Sequence, residues 1–297
     1  MRMGPFATIL FPTDFSRAAI EMVPYVNEMA GRFGAKVIVL HAFDLVHECT
    51  LAPPLEASCE VGRTAIPYTP EFEKLRSERQ DRLVEFARSQ FPNIRPVTRI
   101  EDGDPARVIE LIAQVENTDL IVMATKGLGT FRRLLLGSIT AKVLHDISSP
   151  VLTSAHQPDS QLAPPRGFRS IVCAVELNHE SSAVFKAADF LAQTYGARLC
   201  LVHTESRLFR EHDQQATAEA VRSAFEKVVN ADSKRIGTDV KACALDASVP
   251  EGIRNAAIQE KADLVVVGRG HERGNLSRIW SHLYTIIRES PCPVLSV

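Results

Sequence analysis

The stretch that decides the fold is "FATILFPTDFSRAAIEMVPYVNEMAGRFGAKVIVLHAF", residues 6–43. It reads as strand, turn, helix, turn, strand. "ATILFP" and "KVIVLHA" are nearly unbroken apolar runs, the pattern of strands covered on both faces. Between them Ala19, Met22, Val23, Val26, Met29, Ala30 and Phe33 recur at helical spacing. Ser16 stands where an N-cap belongs, and Gly34 where a helix ends in a left-handed residue. Pro24 lies inside this helix and is expected to kink it.

The same stretch is then written a second time. "FRSIVCAVELNHESSAVFKAADFLAQTYGARLCLVHTE", residues 168–205, aligns with it without a gap at an offset of 162. Ile9 meets Ile171, Gly34 meets Gly196, Ala35 meets Ala197 and His41 meets His203. Further on, "TDLIVMATKG…SSPVLTS" runs beside "ADLVVVGRGH…SPCPVLSV", pairing Asp119 with Asp263 and Pro150 with Pro293. "SAHQPDSQLAPPRG", residues 154–167, is polar and rich in proline, as a linker is. Two similar domains follow, residues 1–155 and 168–297. In the first, strands are expected at 7–12, 36–42, 97–101, 119–124 and 151–154. Asp104 followed by Pro105 marks a helix start. Strands that alternate with helices imply parallel pairing and right-handed crossovers. The fold class is α/β: two doubly wound parallel-sheet, Rossmann-like domains in tandem.

Composition sets the outer bounds. The chain has 297 residues, 45% hydrophobic and 24% charged, with a net charge of -2. No basic excess points to nucleic acid or to an anionic membrane surface. No apolar run approaches the ~20 residues that span a bilayer. Six cysteines show no CxxC, and most sit in apolar runs as small core residues, which fits a reducing compartment. With no signal-peptide pattern before Asp14, the expected location is the cytoplasm.

Ligands of open parallel sheets bind beyond the carboxyl ends of the strands, where strand order switches. The segments at those ends are "PTDFS", "HAFD" and "ATKGLG". The last opens a loop with Lys126, Arg132 and Arg133, and "GSITAKVL" closes it. No GxxxxGK[ST] occurs, so a Walker A loop is excluded. The first turn lacks glycine, which disfavours a dinucleotide fingerprint. What remains is AxxGx9GS, made by Ala124, Gly127, Gly137 and Ser138. Small residues there let backbone approach a ligand. Ser138 starts a helix whose free N–H groups attract an anion, with the Ser138 and Thr140 hydroxyls as further donors.

"ILFPTDFS", "VIVLHAFD" and "DLIVMATKGLGTFRRLLLGSITAKVLHDISSPVL" together resemble the universal stress protein family, two of whose domains cover essentially the whole chain. The resemblance implies an adenine nucleotide alpha hydrolase-like fold and a stress-response role as an ATP-binding switch or sensor. The family pattern is G-x2-G-x9-G-[ST], of which alanine at the first position is a variant. It implies that Asp14 bonds the nucleoside, with Pro12 and Thr13 beside it. Ala42 meets adenine through its backbone, and Met123 and Ala124 line the base or ribose. Lys126, Gly127, Gly137, Ser138, Ile139 and Thr140 surround the phosphates, with Mg2+ on them. Family domains pair through their last strands, so "PVLTS" and "PVLSV" are expected to pair within the chain. Association of two whole chains into a homodimer stays open.

The second half departs from the pattern. Glu176 replaces Asp14, His271 replaces Gly127, Trp280 replaces Gly137, and the loop is one residue shorter. An indole where backbone must touch phosphate should block the family mode. "GRGHERG", 268–274, could still form an anion nest of its own. His41 and His203, at one repeat position, read as satisfied structural histidines. His47, Cys49 and Cys59 in the 46–70 insertion fit no standard zinc spacing, so no metal site is assigned. No GxSxG and no paired base and nucleophile appear, so no catalytic residue is assigned. Two other classes stay open: a slow ATPase or nucleotidyl-handling enzyme, and a scaffold that binds a metal or small ligand.

Overall fold

The computed structural model describes residues 6–44, 70–125, 136–155, 167–175, 181–205, 240–269 and 276–297. In chain order the first half gives β1 (Thr8–Pro12), α1 (Arg17–Phe33), β2 (Lys36–Phe43), α2 (Pro70–Gln90), β3 (Val97–Asp102), α3 (Pro105–Val115), β4 (Leu120–Met123), α4 (Ser138–Asp146) and β5 (Val151–Thr153). The second gives β6 (Ser170–Ala174), α5 (Ser181–Tyr195), β7 (Arg198–Glu205), β8 (Val240–Asp246), α6 (Val249–Gln259), β9 (Leu264–Val267), α7 (Leu276–Glu289) and β10 (Val294–Ser296). All ten strands form one sheet in the order β3-β2-β1-β4-β5-β10-β9-β6-β7-β8. Each half is parallel and doubly wound. At the centre β5 and β10 run antiparallel, with Leu152 opposite Leu295.

The apolar strands are covered on both faces, which is why they do not alternate with polar residues. Ile9, Phe11, Val37 and Val39 pack under α1 and α2, in one layer with α5. Leu10, Ile38, Leu40 and Met123 pack against the opposite layer of α3, α4, α6 and α7. Both apolar layers run from one half into the other. Phe33 stacks on Phe190 at 5.7 Å, and Tyr25 on Phe168 at 6.5 Å.

The signals at the helix ends work as the sequence leads one to expect. Ser16 Oγ accepts from the Ala19 N–H at 3.2 Å, and Gly34 closes α1 with φ of 64°. Asp104 accepts from the N–H groups of Ala106 and Arg107. Helix α1 continues across Pro24. The repeat is also kept in individual bonds. Asp119 Oδ2 accepts from the Ala7 and Thr8 N–H groups, and Asp263 Oδ2 from those of Arg169 and Ser170. The two aspartates therefore stand just before β4 and β9, tying each strand to the start of its neighbour. No helix among the described residues is long and apolar enough to cross a membrane.

Candidate functional site

Strand order reverses between β1 and β4, since β2 and β3 lie on one side of β1 and β4 and β5 on the other. The register matches Leu10 with Ile121, and continued along the strands it sets Pro12 beside Met123. The crevice beyond these two ends is where a doubly wound sheet takes a ligand. Pro12, Thr13, Asp14, Met123 and Ala124 gather there because parallel neighbours lie about 4.8 Å apart.

Thr13 is fixed from three directions. Its N–H donates to Leu40 O at 2.8 Å, and its carbonyl accepts from His41 Nδ1 at 2.8 Å. Its Oγ1 accepts from the Phe15 N–H at 3.0 Å. A carbonyl can only accept, so the His41 proton sits on Nδ1. The second half repeats this bond, from His203 Nδ1 to Val175 O at 2.9 Å. Asp14 is half-buried, and its Oδ1 accepts from the Ser16 N–H at 2.9 Å. The turn is completed by Phe15, with φ of 60°. That conformation costs a residue with a Cβ about 1–2 kcal/mol. Ala42 is half-buried and, by strand alternation, lies on the face opposite His41 and Phe43.

On the other side of the crevice, the loop after β4 is pinned at its neck. The Gly137 N–H donates to Thr125 O at 2.9 Å, and Thr140 Oγ1 donates to Ala124 O at 2.9 Å. Thr125 is held in turn, its N–H and its hydroxyl each 3.0 Å from Ser154 Oγ. Sequence reading passed over Thr125, which is 2% exposed. Its signal was a hydroxyl residue two positions beyond the strand, aligned with an arginine in the second half. Gly137 is the N-cap of α4 and offers no side-chain cap bond. Ser138 and Ile139 are exposed, so the first turn of α4 presents backbone N–H groups with the positive end of the helix dipole. The Thr140 hydroxyl is committed to Ala124 O, so the expected donor role of that hydroxyl falls away. Lys126 and Gly127, with Arg132 and Arg133, lie outside the described residues.

A second helix start joins this edge. Asp104, the cap of α3, accepts from Lys142 Nζ of α4 at 3.0 Å. The lysine hydrogen bond, then the backbone N–H bonds, hold its carboxyl below the ordinary value. A cavity of about 330 Å³ lies at the opposite edge of the sheet, lined by Gln114, Asn117, Asp146 and Ser148 among others. It is bounded by the carboxyl ends of α3 and α4, whose dipoles repel an anion. Among the described residues no three metal-ligating side chains gather.

The second half has the same strand order but a different crevice. At the position matching Thr125 stands Arg269, only 2% exposed. Its guanidinium donates to the carbonyls of Ile147 and Ser149 in the first half, and to Ser296 Oγ and O. Burial alone lowers its pKa to about 10, so it remains charged at neutral pH. Arg269 thus grips the carboxyl end of α4 and is not directed into an anion nest. The rest of "GRGHERG" beyond Arg269, together with Glu176, lies outside the described residues. Gly268 is crowded, since a Cβ there would meet Val184 Cγ2 at 2.9 Å. Ser281, the counterpart of Ser138, is already the sixth residue of α7, counted from Leu276. Its backbone N–H belongs to the helix interior and is taken by the preceding turn.

Comparison with known proteins agrees with this architecture. The sequence pattern of the universal stress protein family matches residues 5–154 and again 167–297. The chain is 28% identical over 156 residues to universal stress protein MJ0577 of Methanocaldococcus jannaschii, covering 50% of this chain and 93% of that one. It is 32% identical over 147 residues to a universal stress protein of Thermus aquaticus, covering 50% and 97%. The solved structure of a universal stress protein from Archaeoglobus fulgidus superposes with a TM-score of 0.68 at 21% identity, over 97% of this chain and 95% of that one. With both halves matched and one fold throughout, the chain belongs to the universal stress protein family, as two of its α/β domains in tandem.

Proposed function

We propose that residues 1–155 bind one adenine nucleotide, ATP with Mg2+, and that residues 168–297 serve as a partner domain without a nucleotide of the family kind. The observation that carries this is the start of α4 at Gly137, which among the described residues has no side-chain cap, at the β4 side of the β1/β4 switch point, with Asp14 at the β1 side. A carboxylate suits ribose hydroxyls, and a free helix N-terminus suits phosphate. In this reading Pro12, Thr13, Asp14 and Ala42 hold the nucleoside and Met123 and Ala124 line it. Gly127, Gly137, Ser138, Ile139 and Thr140 offer backbone to the phosphates, and Lys126 offers charge.

The protein acts as a switch more than as a fast catalyst. Support comes from α4, which spans the distance between the two functions. Its first turn faces the proposed phosphates. Its middle accepts from Tyr284 Oη at Ala141 O, 3.2 Å, and its end is held by Arg269. The β5–β10 ladder and Arg269 are read as an intramolecular domain pairing. A calorimetric titration of the full chain with MgATP, first stripped of carried-over nucleotide, tests the reading. The expected result is one site per chain, weakened roughly tenfold to hundredfold in Asp14→Ala, the loss of a charge-assisted hydrogen bond of about 1.5–3 kcal/mol. Two sites, or none in folded protein, would sink it.

A further inference from the structure

Among the described residues three non-glycine positions have positive φ: Phe15, Asn117 and Lys261. Asn117 and Lys261 are repeat partners just beyond the ends of α3 and α6, each with φ of 49°. Phe15 is different in kind. A bulky aromatic residue takes the left-handed backbone between β1 and the N-cap of α1, where glycine would do so without strain. Its ring contacts distinguish it from a simple turn residue. The ring centroid lies 4.5 Å from that of His41 and 5.4 Å from that of Phe86. The Arg82 guanidinium carbon stands 4.4 Å above it. Phe86 and Arg82 belong to α2, so the ring ties the end of β1 to a helix that enters only after β2.

We propose that Phe15 is a positioning residue for the nucleotide site. Its clamped ring holds the left-handed turn, and the turn sets where Asp14 presents its carboxylate. Each neighbour of the turn is bonded in a way that depends on this conformation. The Phe15 N–H reaches back to Thr13 Oγ1, the Ser16 N–H reaches back to Asp14 Oδ1, and His41 holds the Thr13 carbonyl while its ring faces Phe15. His41 is therefore both the hydrogen-bond anchor and one wall of the aromatic clamp. Without the ring the hydrogen bonds at Thr13, Asp14 and Ser16 hold the strained turn alone, and it relaxes toward conformations that carry Asp14 elsewhere. The proposal rests on the reading of Asp14 as a nucleoside ligand.

The test is a double-mutant cycle on the full chain, read as MgATP affinity by calorimetry beside the thermal midpoint. Phe15→Ala keeps the Cβ strain and removes the clamp, and it should weaken binding about tenfold, the scale of a lost aromatic contact. Phe15→Tyr keeps the ring and should bind as the parent does. In the Asp14→Ala background, Phe15→Ala should cause no further loss, because the group it positions is gone. Additive losses, or unchanged affinity in Phe15→Ala while Asp14→Ala is weakened, would overturn the positioning role and leave the nucleotide site standing. If the parent binds no MgATP, or Asp14→Ala binds as tightly as the parent, the nucleotide reading fails and this proposal fails with it. Should Phe15→Ala not fold, Phe15→Leu takes its place under the same criteria.

Discussion

Helices α4 and α7 occupy the same place in the two halves, each leading into the central pair of strands. They differ in where they begin. Helix α4 opens at Ser138, directly after an uncapped glycine. Helix α7 opens at Leu276, so the residue matching Ser138 falls in its second turn. A helix offers unpaired N–H groups only in its first turn. An earlier start therefore places the N–H of Ser281 inside the helix, even though the serine is retained. The difference teaches that a phosphate site of this type is a property of a helix boundary, more than of the residues that happen to stand there.

This contrast can be broken on purpose. Gly137→Trp copies the second half into the first and should abolish MgATP binding, with the circular dichroism spectrum unchanged. Its mirror, Trp280→Gly, should leave the stoichiometry at one, because the N–H groups at 281 stay within the helix. A second site in that variant would show that the indole alone decides the matter.

The second contrast is Thr125 against Arg269. Replacing Arg269 by methionine leaves the carbonyls of Ile147, Ser149 and Ser296 without this donor in a buried seam. The expected cost is about 3 kcal/mol, the scale of a broken buried charged network, read from the urea midpoint at unchanged slope. A neutral result would mean that water or another donor replaces the guanidinium.

The smallest expected effect concerns the helix before each of these. Asp104 caps α3 and binds Lys142, whereas Ser248 at the start of α6 makes no side-chain cap bond. The Asp104 carboxyl is lowered in the folded state, so its contribution is present above its unfolded value near 3.8 and fades as pH falls through the folded one. Asp104→Asn should lower stability at neutral pH by about 1 kcal/mol or less, as this exposed pair allows. The gap to the parent should close in acid. A gap that stays constant with pH would assign the effect to the cap's shape and not to its charge.

Much of this was legible in residue order alone. The apolar runs placed β1, β2, β4 and β5 within a residue or so at each end, because strands buried on both faces tolerate little polar interruption. Ser16, Gly34 and Asp104 marked helix ends through local bonds that the sequence carries with it. His41 and His203 were readable as structural because a repeat exposes equal roles. Three features were hidden. The early start of α7 at Leu276 has no mark in "LSRIW", whose residues suit loop and helix alike. Arg269 sat in a glycine-rich run that suggests an anion, but its guanidinium turns to carbonyls that come from the other half of the chain. Phe15 showed nothing unusual in sequence, since its left-handed backbone is sustained by rings on β2 and α2.

The antiparallel meeting of β5 and β10 has a consequence for concentration. Two separate domains joined through such strands would come apart on dilution. Here the partners are tied by the short segment 154–167. A tether of this kind holds an effective concentration in the millimolar range, whatever the amount of protein in solution. Assembly is thereby decoupled from abundance, and each half is released from having to be identical to its mate. One partner can then use as a fastener a position that the other uses within its own half, as Arg269 does where Thr125 stands in the first.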